Sequence, residues 1–404
     1  MEATGPLSGV RVIDMSSSYA APTATMYLAD MGADVVKIEP PNGDDSRTWG
    51  PPFIDGESAW YMSANRNKRS VCLNIASEAG YAAMMRLLET ADVFVENVNP
   101  KKLSKLGLDP GTITGRFPRL IYCAISGFGL SGPDAGRPGY DLIAQARSGL
   151  MSVTGERGGM PQRVSTALSD VSAGTVAAYA IAAALVGRER MGVGEVVDVA
   201  LLEADLALMA PRIASYLAGE PEPGPSGGTD SVLAVYQPYE TADDPIVVAV
   251  GNDGMWQRFC TALELPALAF DAELASNAGR RAQREVVVRV VAERLREQPS
   301  KEWLRRLRDA RVPCARIQFL SDVVADPQVR ARSAVTPWEA AGDARSGGVA
   351  APWRLASMAD ARTTSRPAPR LGEHGTEVLS EAGFSEAEME ELQDKGVLWV
   401  PPAR

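Results

Sequence analysis

Histidine is nearly missing from this chain: among 404 residues there is a single one, His374. Ser-His-Asp and Cys-His catalysis, HExxH zinc sites and multi-histidine iron or copper centres need histidines that the sequence does not supply. Cysteine is scarce as well. Cys72, Cys123, Cys260 and Cys314 are scattered and form no CxxC pair, so neither a zinc site nor a redox dithiol is written here, and no metal is expected. Four small buried hydrophobes in a reducing compartment is the plain reading. No apolar run reaches the ~20 residues of a membrane span. The longest, about 173–186, is closed by Arg188, Glu189 and Arg190 and reads as a buried helix. The first residues, Met1 to Pro6, lack the basic-then-apolar pattern of a secretory signal, and the expected compartment is the cytoplasm. Positive charge is in deficit, with 41 Lys and Arg against 51 Asp and Glu and a net charge of −10. Such a chain is a poor binder of nucleic acid or of anionic membrane. Chemistry must run on carboxylates, thiols, lysines, tyrosines or a bound cofactor.

Against these absences stands a regular rhythm of strand and helix. Val10 to Met15 is a β-branched run, Pro22 opens a helix that Gly32 stops, and Asp34 to Ile38 is a second strand ended by Pro40 and Pro41. The alternation continues with strands over 69–75, 93–98 and 120–126 and a helix over 78–90. This predicts an α/β domain with helices on both faces of a parallel sheet. A long Ala-rich helix follows Asp170, then a strand over 196–200 and a helix over 201–218. The stretch Gly219 to Gly228, rich in proline and glycine, reads as a linker or mobile loop. A smaller α/β domain restarts beyond it, with a strand over 246–250 and helices over 253–263, 284–296 and 300–310, the last capped by Ser300. The segment 326–369 is polar and loop-rich, and Ser385 with Glu388 forms a capping box in a final helical hairpin. The domain boundaries expected are therefore 1–220, 221–325 and a return segment 326–404.

Gly127-Phe-Gly129-Leu-Ser-Gly132 fits G-x-G-x-x-G and follows a strand. The motif binds a dinucleotide only where its third glycine opens a helix, and here Pro133, Gly136, Pro138 and Gly139 come next, so a dinucleotide site is rejected. A glycine-rich loop at the C-terminal edge of a parallel sheet is nonetheless where ligands tend to sit. Arg66-Asn-Lys68-Arg69 and Lys101-Lys102 with Lys105 are dense basic clusters in an acidic chain. They are either solvated faces or donors to a phosphorylated ligand. Asp170 stands where a loop meets the Ala-rich helix. It is either an N-cap or a partly dry carboxylate at a helix start. Burial would raise its pKa and the helix terminus would lower it, and a carboxylate held ionised without full hydration is a nucleophile toward an activated acyl carbon.

At this point the chain resembles a known family, the class III coenzyme A transferases. The family includes formyl-CoA and carnitine CoA-transferases and, as isomerase relatives, the α-methylacyl-CoA racemases. The likeness is carried by the segments 7–14, 28–39, 65–70, 91–97, 139–145, 168–174 and 194–204 and by Leu371-Gly-Glu-His374. It implies a large Rossmann-like domain built from both chain ends, a small α/β domain, and two chains interlocked as a homodimer. It also implies acyl-CoA and a free carboxylic acid as substrates, with no cofactor permanently bound. Asp170 matches the family's nucleophile, which becomes first a mixed anhydride and then an aspartyl-CoA thioester. Tyr19, Tyr140 and Asp141 match supporting positions, and Gly227 and Gly228 match the lid over the water-sensitive anhydride.

The CoA contacts implied are Ala20 near the thiol, Leu73 and Ile75 at the adenine, Asn97, Val98, Asn99 and Lys105 along the pantetheine and phosphates, and Arg137 near the centre. Three positions depart from formyl-CoA transferase. Pro40 replaces an arginine and Ala76 a lysine at the nucleotide end, so the phosphates are left to Lys68, Arg69 or Lys102. Tyr19 replaces a glutamine that gates the acyl site. The racemases abstract a proton with a histidine that aligns with Tyr140, and a tyrosine of pKa ~10 is a poor base at neutral pH. The expected activity is therefore CoA transfer, with a racemase-like isomerase or a catalytically inactive acyl-CoA-binding protein as alternatives.

Overall fold

The computed structural model describes residues 5–337, 347–358 and 366–402. The signal-peptide reading of the first residues rests largely on 1–4, and part of the loop-rich stretch falls on 338–346 and 359–365; these lie outside the described residues. The chain divides into two compact units. The larger comprises Met1–Ser148, Val164–Met209 and Pro327–Arg404, the smaller Gly149–Arg163 and Ala210–Asp326.

The larger unit grows from one βαβ motif. β1 (Arg11–Met15), α1 (Ala20–Asp30) and β2 (Asp34–Glu39) come first, followed by a small hairpin, β3 (Phe53–Ile54) and β4 (Glu57–Ser58). Then come α2 (Ala59–Asn65), β5 (Arg69–Leu73), α3 (Glu78–Glu89), β6 (Val93–Glu96), α4 (Pro100–Leu106), α5 (Pro110–Arg116) and β7 (Ile121–Ser126). Past β7 lie α6 (Asp141–Arg147), the short α7 (Leu150–Val153) of the smaller unit, α8 (Leu168–Met191), β8 (Val196–Ala200) and α9 (Leu201–Leu217). Pro22 does not open α1 but sits at its third residue, and Asp170 is likewise third in α8, whose N-cap is Ala167. The N-cap alternative for Asp170 is thereby excluded.

With the C-terminal strand Leu398–Trp399 as β14, the sheet order is β14-β5-β2-β1-β6-β7-β8, with every pair parallel except β14 against β5. The chain's far end thus closes the edge of a sheet begun at residue 11. Among the parallel strands the order reverses between β1 and β6, where the doubly wound fold opens a crevice at the strands' C-terminal ends. Strands buried on both faces read as continuous apolar runs. Ile13, Val36 and Phe94 face one core, shared with Leu87, Val378 and Leu379. Val12, Val35, Val93 and Val95 face the other, shared with Ala24 of α1 and Ala177 and Ile181 of α8.

α8 is not buried all round. Ala173, Ala177, Ile181 and Leu185 form its inner stripe, whereas Tyr179 is 63% and Val186 53% exposed. It is also the one helix among the described residues long and apolar enough to cross a membrane by length and composition.

The smaller unit has its own sheet, β9 (Tyr236–Tyr239), β10 (Ile246–Ala249) and β11 (Cys314–Arg316), antiparallel throughout. Its core is filled by Trp256, Phe259, Val287, Val291, Trp303 and Leu307. Ser300 is the first helical residue rather than a cap; its N–H donates to Asp243 at 2.7 Å. The Pro/Gly stretch 219–228 is irregular but is no linker, because it lies inside this unit. Ser226 and Gly227 donate their N–H groups to the carbonyls of Val153 and Gly155 at 3.3 and 2.9 Å. That backbone pairing across some 70 residues ties 149–163 to the smaller unit, to which 210–220 also belongs, although chain order groups both with the large domain. The capping box of Ser385 and Glu388 opens a helix over Glu386–Asp394.

Candidate active site

The loops at the β1/β6 reversal are fixed by buried polar groups. Asp14 and Lys37 both have no exposure, although they sit on central strands. Lys68 Nζ lies 3.0 Å from Asp14 and Lys37 Nζ 2.8 Å from Asp44, and Lys37 also donates to the Ser16 carbonyl at 2.7 Å. Burial alone would raise the Asp14 pKa, but the ammonium groups of Lys68 and Lys37 outweigh it and hold it below the usual value. Desolvation pushes Lys68 down to about 8 in spite of Asp14. Ser17 is gripped on both backbone atoms by Asn97, whose Oδ1 accepts its N–H at 3.0 Å while Nδ2 donates to its carbonyl at 2.8 Å. Ser18 takes φ 71° with its N–H on Asp44. Burying paired charges carries a desolvation cost, and here the pairs shape the β1–α1 turn.

This network corrects the sequence reading of one basic cluster. Arg66 binds Asp30, Lys68 binds Asp14, and Arg69 binds Asp34 and Glu381, and the three basic side chains are no more than 8% exposed. None is a solvated face, and Lys68 and Arg69 are committed to carboxylates rather than to phosphate. Lys101, Lys102 and Lys105 are exposed on α4.

Two cavities open on the larger unit at this edge, and Ser17 and Val98 line both. The first, about 360 Å³, runs between Pro40, Asn42, Leu73, Ile75, Ala76 and Lys102. The second, about 250 Å³, contains Asp170 and is walled by Ser18, Ala20, Asn97, Asn99, Arg137 and Tyr140. The expected contact residues thus separate into two adjoining spaces, with Leu73 and Ile75 in one and Ala20, Asn97, Asn99, Arg137 and Tyr140 in the other. Three details bear on the expected contacts. The Asn97 amide is spent on Ser17, and that of Asn99 on the Lys101 N–H and the Gly136 carbonyl, so their side chains build the wall. Lys105 lines neither cavity. Tyr19 lines neither as well; its ring packs on Trp60 at 5.2 Å and its hydroxyl meets Ser63 at 3.1 Å. Gly227 and Gly228, with φ of 65° and 80°, belong to the smaller unit.

Close backbone approaches bring the walls together. A Cβ on Gly127 would fall 2.7 Å from Gly139 Cα, so the post-β7 turn and the approach to α6 cross where only glycine fits. The G-x-G-x-x-G stretch is therefore a crossing and not a nucleotide loop: it leads into turns, with Leu130 N–H held by Asp198 at 3.0 Å. A Cβ on Gly174 would fall 2.6 Å from the Ala20 carbonyl, so α8 meets the start of α1 one turn beyond Asp170. Arg137 pairs with Asp134 at 2.6 Å, and Arg147 pairs with the same carboxylate at 2.8 Å. Glu96, 2% exposed at the end of β6, accepts the Val98 N–H at 2.7 Å. Burial pushes its pKa up to about 7.

Behind Asp170 lies a set of side chains that sequence reasoning noticed only in part. Asp141 accepts the Ser169 N–H at 2.8 Å and the Gln145 amide at 2.7 Å, and Gln145 in turn accepts the Val164 N–H at 2.8 Å. Asp141 and Gln145 on α6 and Ser148 just after it recur at helical spacing, a buried polar stripe that was readable from the sequence. The lone histidine takes no part. His374 Nδ1 accepts from the Ser70 N–H at 3.3 Å, and His374 is not among the residues lining the Asp170 cavity. Among the described residues no group of three or more His, Cys, Asp or Glu is placed to hold a metal.

The sheet is doubly wound and a carboxylate stands at a helix start beside its switch point, and comparison with known proteins defines the class: residues 7–375 match CoA-transferase family III, and the chain belongs to that family. It is 39% identical over 383 residues to the succinate–glutarate CoA-transferase of Agrobacterium fabrum, covering 93% of this chain and 95% of that one. It is 37% identical over 397 residues to the human succinyl-CoA:glutarate CoA-transferase, covering 97% and 90%. Among solved structures, a CAIB/BAIF family protein from Brucella suis superposes with a TM-score of 0.81 at 35% identity, covering 94% of this chain and all of that one. The protein is a CoA-transferase that uses acyl-CoA and a carboxylate as substrates.

Proposed function

We propose that this enzyme moves coenzyme A from a thioester to a free acid through covalent intermediates on Asp170. The observation that carries the proposal is the Asp170 carboxylate, half-buried in the first turn of α8 and lining the cavity that adjoins the Ile75–Lys102 cleft. The two spaces meet at Ser17 and Val98, and together they suit an extended CoA, with its nucleotide beside Pro40 and Ile75 and its thioester beside Asp170. Lys102 is the base that lines the nucleotide end, where Lys68 and Arg69 are already paired.

In the first step a carboxylate oxygen of Asp170 attacks the thioester carbonyl. The C–S bond breaks, CoA leaves as the thiolate, and a mixed anhydride remains. The thiolate then attacks the aspartyl carbonyl, releasing the donor as its carboxylate and leaving an aspartyl-CoA thioester. The acceptor carboxylate repeats the two steps in reverse, and Asp170 is regenerated as a carboxylate. The gain over direct exchange is that each step brings only two reacting groups together in a prepared geometry. The positive end of α8 favours the ionised carboxylate. A second copy of the chain completes an interlocked dimer.

The acceptor we propose is a short dicarboxylate. Arg137 is the cation among the described residues lining the Asp170 cavity, and Asp134 stays neutralised by Arg147 when Arg137 turns to a substrate's distal carboxylate. Relatives named for succinate and glutarate point the same way. The test is exchange of labelled succinate or glutarate into acyl-CoA by the wild type and by Asp170→Ala, with hydroxylamine trapping read by mass spectrometry. The expected result is a hydroxamate at residue 170 and exchange abolished in the variant. Undiminished exchange by Asp170→Ala would overturn the proposal.

A further inference from the structure

Asp205 is wholly buried on α9, among the core residues Leu201, Ala204 and Met209. Its Oδ2 accepts the Ser169 hydroxyl at 2.7 Å and faces the Ser148 hydroxyl at 3.5 Å, while Oδ1 has no hydrogen-bond partner among the described residues. A buried carboxylate oxygen without a donor is costly, and an apolar side chain would fill the position without that cost. Ser169 immediately precedes Asp170. Its backbone N–H is held by the Asp141 carboxylate, and its hydroxyl, 2.7 Å from Asp205 Oδ2, also lies 3.2 Å from the Asp141 carbonyl. The residue before the nucleophile is therefore held on two atoms by carboxylates from two helices, α6 and α9, which anchors the first turn of α8.

We infer that Asp205, acting through the Ser169 hydroxyl, is a positioning residue that aims the Asp170 carboxylate at the acyl carbon. The inference rests on the covalent role proposed for Asp170. An attacking oxygen displaced by a fraction of an ångström leaves substrate binding intact but slows the chemistry, so the clamp acts on kcat rather than on KM.

The experiment uses the full-length enzyme, with succinyl-CoA as donor and labelled glutarate as acceptor. It compares Ser169→Ala, Ser169→Thr, Asp205→Ala and Asp205→Asn for kcat, KM and the rate of the hydroxylamine-trapped adduct. Ser169→Ala and Asp205→Ala are expected to lower kcat and adduct formation about 10- to 100-fold, with KM for the thioester changed by less than about twofold. Threonine keeps the hydroxyl and asparagine keeps an acceptor, so both conservative variants retain most of the rate. The double variant Ser169→Ala/Asp205→Ala is expected to be no slower than the slower single one, since the two residues act as one unit.

Wild-type kcat in Ser169→Ala, or losses that multiply in the double variant, would overturn the inference while the adduct still forms at Asp170. No adduct in the wild type would overturn the covalent reading instead. If Asp205→Ala fails to fold, Ser169→Ala, which removes one oxygen atom, decides the matter.

Discussion

Glu96 offers a test of how the sheet edge is built. It ends β6, is 2% exposed, and turns the chain into the Asn97–Asn99 wall by accepting the Val98 N–H. Burial raises its pKa from 4.5 to about 7, against which the Val98 N–H and the Tyr122 hydroxyl pull down. The folded state therefore binds this proton more tightly than the unfolded chain does. Between pH 4.5 and 7 the folded protein holds the extra proton, so stability from this group is greatest at the acid end and is lost as pH rises through the window. At about 1.4 kcal/mol per pH unit, a rise from 4.5 to about 7 amounts to about 3 kcal/mol.

Glu96→Gln keeps an oxygen for the Val98 N–H and removes the titration. Its stability relative to wild type should climb by about 3 kcal/mol from pH 4.5 to pH 7 and then level off. Urea unfolding of both proteins at half-unit pH intervals reads that difference and cancels the contributions of every other carboxylate. Two curves that stay parallel across the window would show that the Glu96 carboxyl is ionised without penalty, and the argument from its burial would be wrong.

Two further outcomes follow from the cavity walls. Gly174→Ala places a methyl group 2.6 Å from the Ala20 carbonyl and is expected to cost about 1–3 kcal/mol in urea unfolding, with a raised KM for acyl-CoA because Ala20 lines the Asp170 cavity. Lys102→Gln is expected to weaken CoA binding about fivefold in titration calorimetry and to flatten its dependence on salt, since charge-assisted contacts to phosphate are screened by added ions; an unchanged salt dependence would remove Lys102 from the phosphate site.

The alternation of β-branched runs with helices was legible along the chain, because a strand covered on both faces must be apolar throughout and a crossover helix must present an apolar stripe. The rejection of a dinucleotide loop at Gly127–Gly132 was legible too, from the prolines that deny a helix there. The basic run Arg66–Arg69 was not. Its partners Asp14, Asp30, Asp34 and Glu381 lie from 35 to over 300 residues away, and a charge reads the same in sequence whether it meets water or a buried carboxylate. The contacts of Tyr19 were not legible for the same reason, since Trp60 and Ser63 come from another element.

Residue order alone determined where strands and helices form and that a carboxylate stands at the start of the long helix, since these follow from local propensity and the period of apolar side chains. Only the tertiary structure decided the strand order, with its reversal between β1 and β6, and the addition of the last strand to the edge of β5. It alone clamped Ser169 between Asp141 and Asp205. Sheet neighbours and buried polar partners are set by which distant surfaces close on one another, and that choice is made by packing the whole chain at once.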